Sequence, residues 1–162
     1  MDIATTQAET AFLEKLVGTW IYDTSEDVTN AEATDCKPPT RWTETVRALG
    51  GRWFIAESEM DFGGISRMLM TLGYNAKTGV VDGTWVGSEG DTMYIYKGFL
   101  DNDGRRLVLE AEGPDFSDPE KTAVYRDVIT WIDDDTREFA GTIRQEDGTF
   151  RTFMSSTCRR NT

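Results

Sequence analysis

Turn signals punctuate this chain at regular intervals from Gly50 to its end. Between them run short segments rich in Val, Ile, Thr, Tyr, Phe and Trp. Gly50-Gly51, Asn75 to Gly79, Gly87 to Gly90, Asp101 to Gly104, Asp133 to Thr136 and Asp147-Gly148 supply the backbone conformations that tight turns need. Short strands joined this way are hairpins, and hairpins are antiparallel. The strands read as Thr19 onward, Arg41–Leu49, Arg52–Asp61, Arg67–Tyr74, Val80–Val86, Asp91–Leu100, Arg105–Ala111, Thr122–Ile132, Arg137–Gln145 and Thr149–Cys158. An open meander of ten strands leaves two edges unpaired, and closure removes them. The fold class is therefore all-β, an antiparallel up-and-down barrel of about ten strands. A sandwich is the alternative.

Ahead of the strands, Ala8, Ala11, Phe12, Lys15 and Leu16 recur at helical spacing, which predicts a short N-terminal helix over Thr6–Leu16. Thr5 or Thr6 is its expected cap, and Glu9 in the first turn suits the helix dipole. Two segments read as long loops, Ser25 to Pro39 and Glu112 to Lys121; loops of that length often cover a site. The 162 residues suit one domain, with residues 1–10 expected to be flexible.

Charge and composition narrow the function. The net charge is −12, and the only basic clusters are the pairs Arg105-Arg106 and Arg159-Arg160, so neither nucleic acid nor an anionic membrane is an expected partner. No apolar run is long enough to span a bilayer, and Met1–Thr10 does not read as a signal peptide. The expectation is a soluble, cytoplasmic protein whose Cys36 and Cys158 are free thiols. There is no histidine. That removes His-based nucleophile systems and the usual His-containing metal sites, and leaves Asp, Glu, Lys, Tyr or Cys for any acid–base work. No cofactor or metal is expected. The acidic turns at Asp101–Gly104 and Asp133–Asp135 lack the calcium-loop pattern and read as hairpin turns.

The segment Leu13-x-x-Leu16-x-Gly18-x-Trp20 resembles the entry of lipocalin-like (calycin) barrels, where a short helix precedes a Gly-x-Trp strand. More specifically, the chain resembles the bacterial family named domain of unknown function 1579. The matching residues are Thr43 to Trp53, Met70 to Asn75, Tyr96-Lys97-Gly98, Glu112 to Phe116, Tyr125 to Ile129 and Arg159-Arg160, spread over Phe12 to Arg160. The resemblance implies a barrel with an interior cavity and no established activity. It also implies that Trp20 packs under an arginine from the chain's end, Arg159 or Arg160. Members often carry a histidine in the strand near Met93 and another near the last hairpin; this chain has neither, so no His-based role transfers.

Ten residues are candidates for contact with an interior ligand: Trp20, Trp53, Glu57, Met70, Trp85, Tyr94, Tyr96, Arg126, Trp131 and Arg144. Trp20 reads chiefly as a structural plug. Arg126, if inward, is the expected partner of a ligand carboxylate, with pairing to Glu44, Glu57 or Glu59 as the alternative. Met68, Met70, Leu72 and Tyr74 alternate on one face and suit an adaptable apolar wall. Tyr94 and Tyr96 share a face opposite Met93 and Ile95; two bulky faces suggest a cavity on one side and a second subunit, hence a homodimer, on the other. Glu57 and Glu59 share a face with Trp53 and Ile55, and solvent exposure explains them better than catalysis. The leading function is a binding module for a small apolar or amphipathic ligand. The alternatives are an Asp/Glu enzyme on the same barrel and a dimerising protein with a filled core.

Overall fold

The computed structural model describes residues 7–24, 41–61 and 64–162. The expected loop Ser25–Pro39 and Cys36 lie outside the described residues, as do Thr5, Thr6 and residues 62–63. Helix α1 spans Ala8–Lys15, and its N-cap position is Gln7, which makes no side-chain capping bond.

Ten antiparallel strands follow: β1 Gly18–Thr24, β2 Arg41–Leu49, β3 Trp53–Asp61, β4 Ile65–Asn75, β5 Val80–Gly87, β6 Tyr94–Asp101, β7 Arg106–Pro114, β8 Thr122–Asp133, β9 Thr136–Arg144 and β10 Phe150–Arg160. Each pairs with its sequence neighbours, and β1 pairs with β10, so the sheet closes into a barrel. The sandwich alternative is thereby excluded. Gly50 and Gly51 both adopt positive φ, 63° and 71°, as a two-residue turn between β2 and β3 requires.

Two boundaries differ from expectation by three residues, the others by at most two. Glu112–Pro114 extends β7 rather than opening a loop, because Gly113 and Pro114 continue the ladder opposite Ala123 and Thr122. The Tyr94 ring lies so close to Gly113 that a Cβ there would sit 2.2 Å from it, and the Tyr125 hydroxyl donates to the Pro114 carbonyl at 2.6 Å. Asp91–Met93, in turn, precede β6 instead of belonging to it.

One end of the barrel is packed solid. Helix α1 lies across it and buries Phe12, Leu13 and Leu16 against Trp20 and Trp131, with ring centroids 5.7 Å apart for Phe12–Trp131 and 5.6 Å for Trp20–Trp131. The Trp20 Nε1–H donates to the Leu16 carbonyl at 2.7 Å, so the indole satisfies its one polar atom without water. Arg160 lies over the same indole, 4.3 Å from its centroid. Its guanidinium donates to the carbonyls of Lys15, Val17 and Asp134 and to the Asp135 carboxylate, at 2.8 to 3.1 Å. The arginine expected over Trp20 is thus Arg160; Arg159 points outward to Asp23. Gly18, at φ 137°, is where Arg160 approaches the chain: a Cβ there would sit 2.9 Å from Nη1.

Arg160 therefore couples helix, first strand and last strand. Arg160→Ala should lower unfolding free energy in urea by about 1–3 kcal/mol through lost stacking and hydrogen bonds. Arg160→Lys should restore only part of it, because an ammonium cannot reproduce the planar fork. A loss indistinguishable from zero in the alanine variant would contradict this assignment.

Candidate functional site

Beyond the packed end the barrel is hollow. A cavity of about 690 Å³ is lined by inward residues from all ten strands. The alternation of each strand decides who enters it: Ser58 and Met60 from β3, Met68 and Met70 from β4, Trp85 from β5, Tyr94 and Tyr96 from β6, Tyr125 and Asp127 from β8, Phe139 from β9. The walls carry nine aromatic side chains and four methionines among the described residues. Phe153 lies over Gly141 as Tyr94 lies over Gly113; a Cβ on Gly141 would come within 2.8 Å of the ring. A glycine beside each ring lets it lie along the wall instead of projecting across the lumen.

The boundary between packed end and cavity is a buried polar network. Arg137 on β9 is 1% exposed. Its Nη2 meets Glu44 Oε1 at 2.7 Å, and its Nη1 donates to the Tyr22 hydroxyl at 3.1 Å. Tyr22 in turn donates to Glu44 at 3.0 Å, and the Ser58 hydroxyl reaches the other Glu44 oxygen at 3.4 Å. The guanidinium also lies 4.5 Å from the Trp20 ring centroid. Burial raises the Tyr22 phenol well above its ordinary value, so Tyr22 keeps the proton it donates. A buried guanidinium and carboxylate cost much desolvation free energy, which close pairing and added hydrogen bonds offset. Among the described residues Arg137 Nε has no hydrogen-bond partner. Cys158 packs beside this network as a buried free thiol, and burial pushes it up to about 12.

The second polar feature is Asp127. It accepts a hydrogen bond from the Tyr96 hydroxyl. Among the described residues no arginine or lysine forms an ion pair with it. Removal from bulk water pushes its carboxyl up to about 6, against the Tyr96 bond, which pulls it down. Burial likewise raises Tyr96 well above its usual value and carries Tyr125 to about 12; it also raises Tyr94, with the Asp127 charge adding to the effect. At neutral pH the Asp127 carboxylate stands among protonated phenols.

The ten sequence candidates divide by strand face. Met70, Trp85, Tyr94 and Tyr96 line the cavity. Trp20 and Trp131 point inward but belong to the packed end, under α1. Trp53, Glu57, Arg126 and Arg144 do not face the interior, and their expected placement is corrected. Trp53 is 44% exposed and covers Gly73 on the outer surface. Glu57 stands outward between Thr45 and Leu69, with Ala56 and Ser58 turned inward. Arg126 is outward because its neighbours Tyr125 and Asp127 are inward. It pairs with Glu110 at 2.8 Å, rather than with Glu44, Glu57 or Glu59, and stacks 4.1 Å from the Phe150 centroid. Arg144 is exposed at the end of β9. Glu44, Arg137 and Asp127 were missed. The signal for Asp127 was present: it alternates with Tyr125, Ile129 and Trp131 and is the one polar member of that series.

A carboxyl whose native value lies above its unfolded one, about 3.9, disfavours the folded state once ionised. The penalty is absent below that unfolded value and complete above about 6. Asp127→Asn removes it. The stability of the variant relative to wild type should therefore rise by about 2–3 kcal/mol between pH 4 and pH 7, read from urea unfolding at each pH. Parallel pH profiles would contradict the placement of Asp127.

A redesigned β-barrel, one solved structure similar to this chain, is 13% identical over 93% of this chain and 95% of the other, with a TM-score of 0.43. No curated protein matches. A family model described as "Protein of unknown function (DUF1579)" matches residues 5–160. The chain belongs to the DUF1579 family.

Proposed function

We propose that this protein is a binding module that holds one small apolar or amphipathic molecule inside its barrel. The supporting observation is the contrast between the two ends. The end under α1 is filled by Trp20, Trp131, Phe12 and Leu13, whereas the rest of the lumen is a cavity of about 690 Å³ walled by aromatic and methionine side chains. That volume falls within the range of small-molecule sites, and so does the composition, apolar walls with a few placed polar groups. Methionine and aromatic walls adapt to ligand shape without conformational change in the strands.

One observation favours a second reading, proton transfer on the same barrel. Asp127 titrates near pH 6 inside a cavity, where a carboxylate suits a general base. Turnover of a cavity-bound compound that Asp127→Asn abolishes would select that reading over simple binding.

The binding reading is tested with the neutral fluorophore N-phenylnaphthylamine, whose emission rises in apolar surroundings. Saturable enhancement is expected, together with quenching of Trp85 and Trp42 emission. Ala111→Phe places a ring in the lumen from β7 and should weaken binding at least about tenfold, equivalent to ~1.4 kcal/mol, while far-UV circular dichroism stays unchanged. No saturable binding by wild type, or equal binding by both proteins, would overturn the reading.

A further inference from the structure

Among the described residues, the charges that border the cavity are all of one sign. Among these residues Glu44, Glu89 and Asp127 line it, and no lysine or arginine does. Glu44 is already neutralised by Arg137, which lies beneath the lumen with its guanidinium committed to Glu44, Tyr22 and the Trp20 ring. An acidic head group, which the sequence alone suggested through Arg126, would find no free cation inside among the described residues; it would meet a carboxylate instead. Asp127 is the opposite case. It is an acid held away from water with one hydroxyl as its partner, and among the described residues no cation reaches it. Around it stand Tyr94, Tyr96 and Tyr125, with Trp85 5.6 Å and Tyr125 6.1 Å from Tyr94, centroid to centroid. Such ring faces attract an organic cation. The net charge of −12 acts in the same direction over longer distances.

We infer that the cavity's ligand is an amphipathic amine, its ammonium paired with Asp127 among the tyrosine rings and its apolar part against the methionine and tryptophan wall. This inference rests on the binding reading and specifies its chemistry. The ammonium supplies the counter-charge that the fold omits, and the Tyr96 hydroxyl fixes the carboxylate that receives it. Binding then depends on the ionisation of Asp127. The groups facing Asp127 are Tyr94 and Tyr96 from β6 and Tyr125 from its own strand. The residue opposite it on β7 is Leu109, with Ala111 next on the same face, and the one opposite it on β9 is Gly141; none of these titrates. The phenols stay protonated, so Asp127 governs the acid limb.

The test displaces N-phenylnaphthylamine from the full chain with decylamine, decanol and decanoate, which share one apolar tail. The amine should compete at roughly tenfold lower concentration than the alcohol, with decanoate weakest, as a desolvated charge pair predicts. Asp127→Asn should bring the amine to the level of the alcohol, removing its roughly tenfold advantage. In wild type, which needs no variant to fold, the amine's advantage should fade between pH 7 and pH 5 while decanol competes equally at both. An amine no better than the alcohol, an acid that competes best, or an advantage that survives Asp127→Asn would each overturn the inference and leave the binding reading standing. Failure of the fluorophore and all three competitors to bind would overturn both.

Discussion

Everything in this barrel hangs on the way Arg160 closes it over Trp20. A ten-strand meander must join its first strand to its last, and the two arrive at that seam from opposite ends of the sequence. The indole of β1 gives β10 a flat apolar surface; the guanidinium of β10 gives α1 a donor for carbonyls that a helix end leaves free. The helix then seals the same end and shields the stack from water. Gly18 is the residue that permits the approach, and the Trp20 Nε1–H is satisfied within the same unit. Closure, helix docking and exclusion of water are one event.

From that packed end the interior changes character step by step. The Arg137–Glu44–Tyr22 network forms a floor whose charges cancel locally, so the lumen above it is not obliged to fill. Above the floor, rings lie along the wall beside Gly113 and Gly141, and methionines fill the remaining side. Ten strands enclose more space than these side chains occupy. A void of that size lined by aromatic groups forgoes dispersion contacts that a bound molecule would restore. Placing a lone carboxylate there costs further stability. Both costs fall on the same region, as expected where a fold gives up stability for a ligand.

Much of the architecture was legible because it is local. Turn residues such as Gly50-Gly51 and Asn75 to Gly79 fix where each strand stops, and period-two patterning fixes what lies between. The Trp20–arginine stack was legible through the Gly18-x-Trp20 entry and the terminal arginine pair. Strand faces were harder. In β8 both faces carry apolar residues, Tyr125, Ile129 and Trp131 on one and Val124, Val128 and Ile132 on the other, so periodicity alone did not say whether Arg126 or Asp127 enters the barrel. The structure settles it: Asp127 is inside, and the charge of the site has the opposite sign from the one expected. The Arg137–Glu44 pair joins strands 93 residues apart in sequence and leaves no spacing to read. Nor did the polar stretch after Glu112 announce that its first residues continue β7, because the reason is a ring contact between Gly113 and Tyr94.

The most direct test of an interior binding site uses the methionines as reporters. Met60, Met68, Met70 and Met154 line the cavity, whereas Met93 is 57% exposed on the outer surface. With methyl-labelled methionine, a titration with N-phenylnaphthylamine followed by NMR should shift the four cavity methyl signals together, through the ring current of the bound probe, and leave Met93 in place. Shifts confined to Met93, or no shift at saturating probe, would mean that the lumen is not where this protein binds.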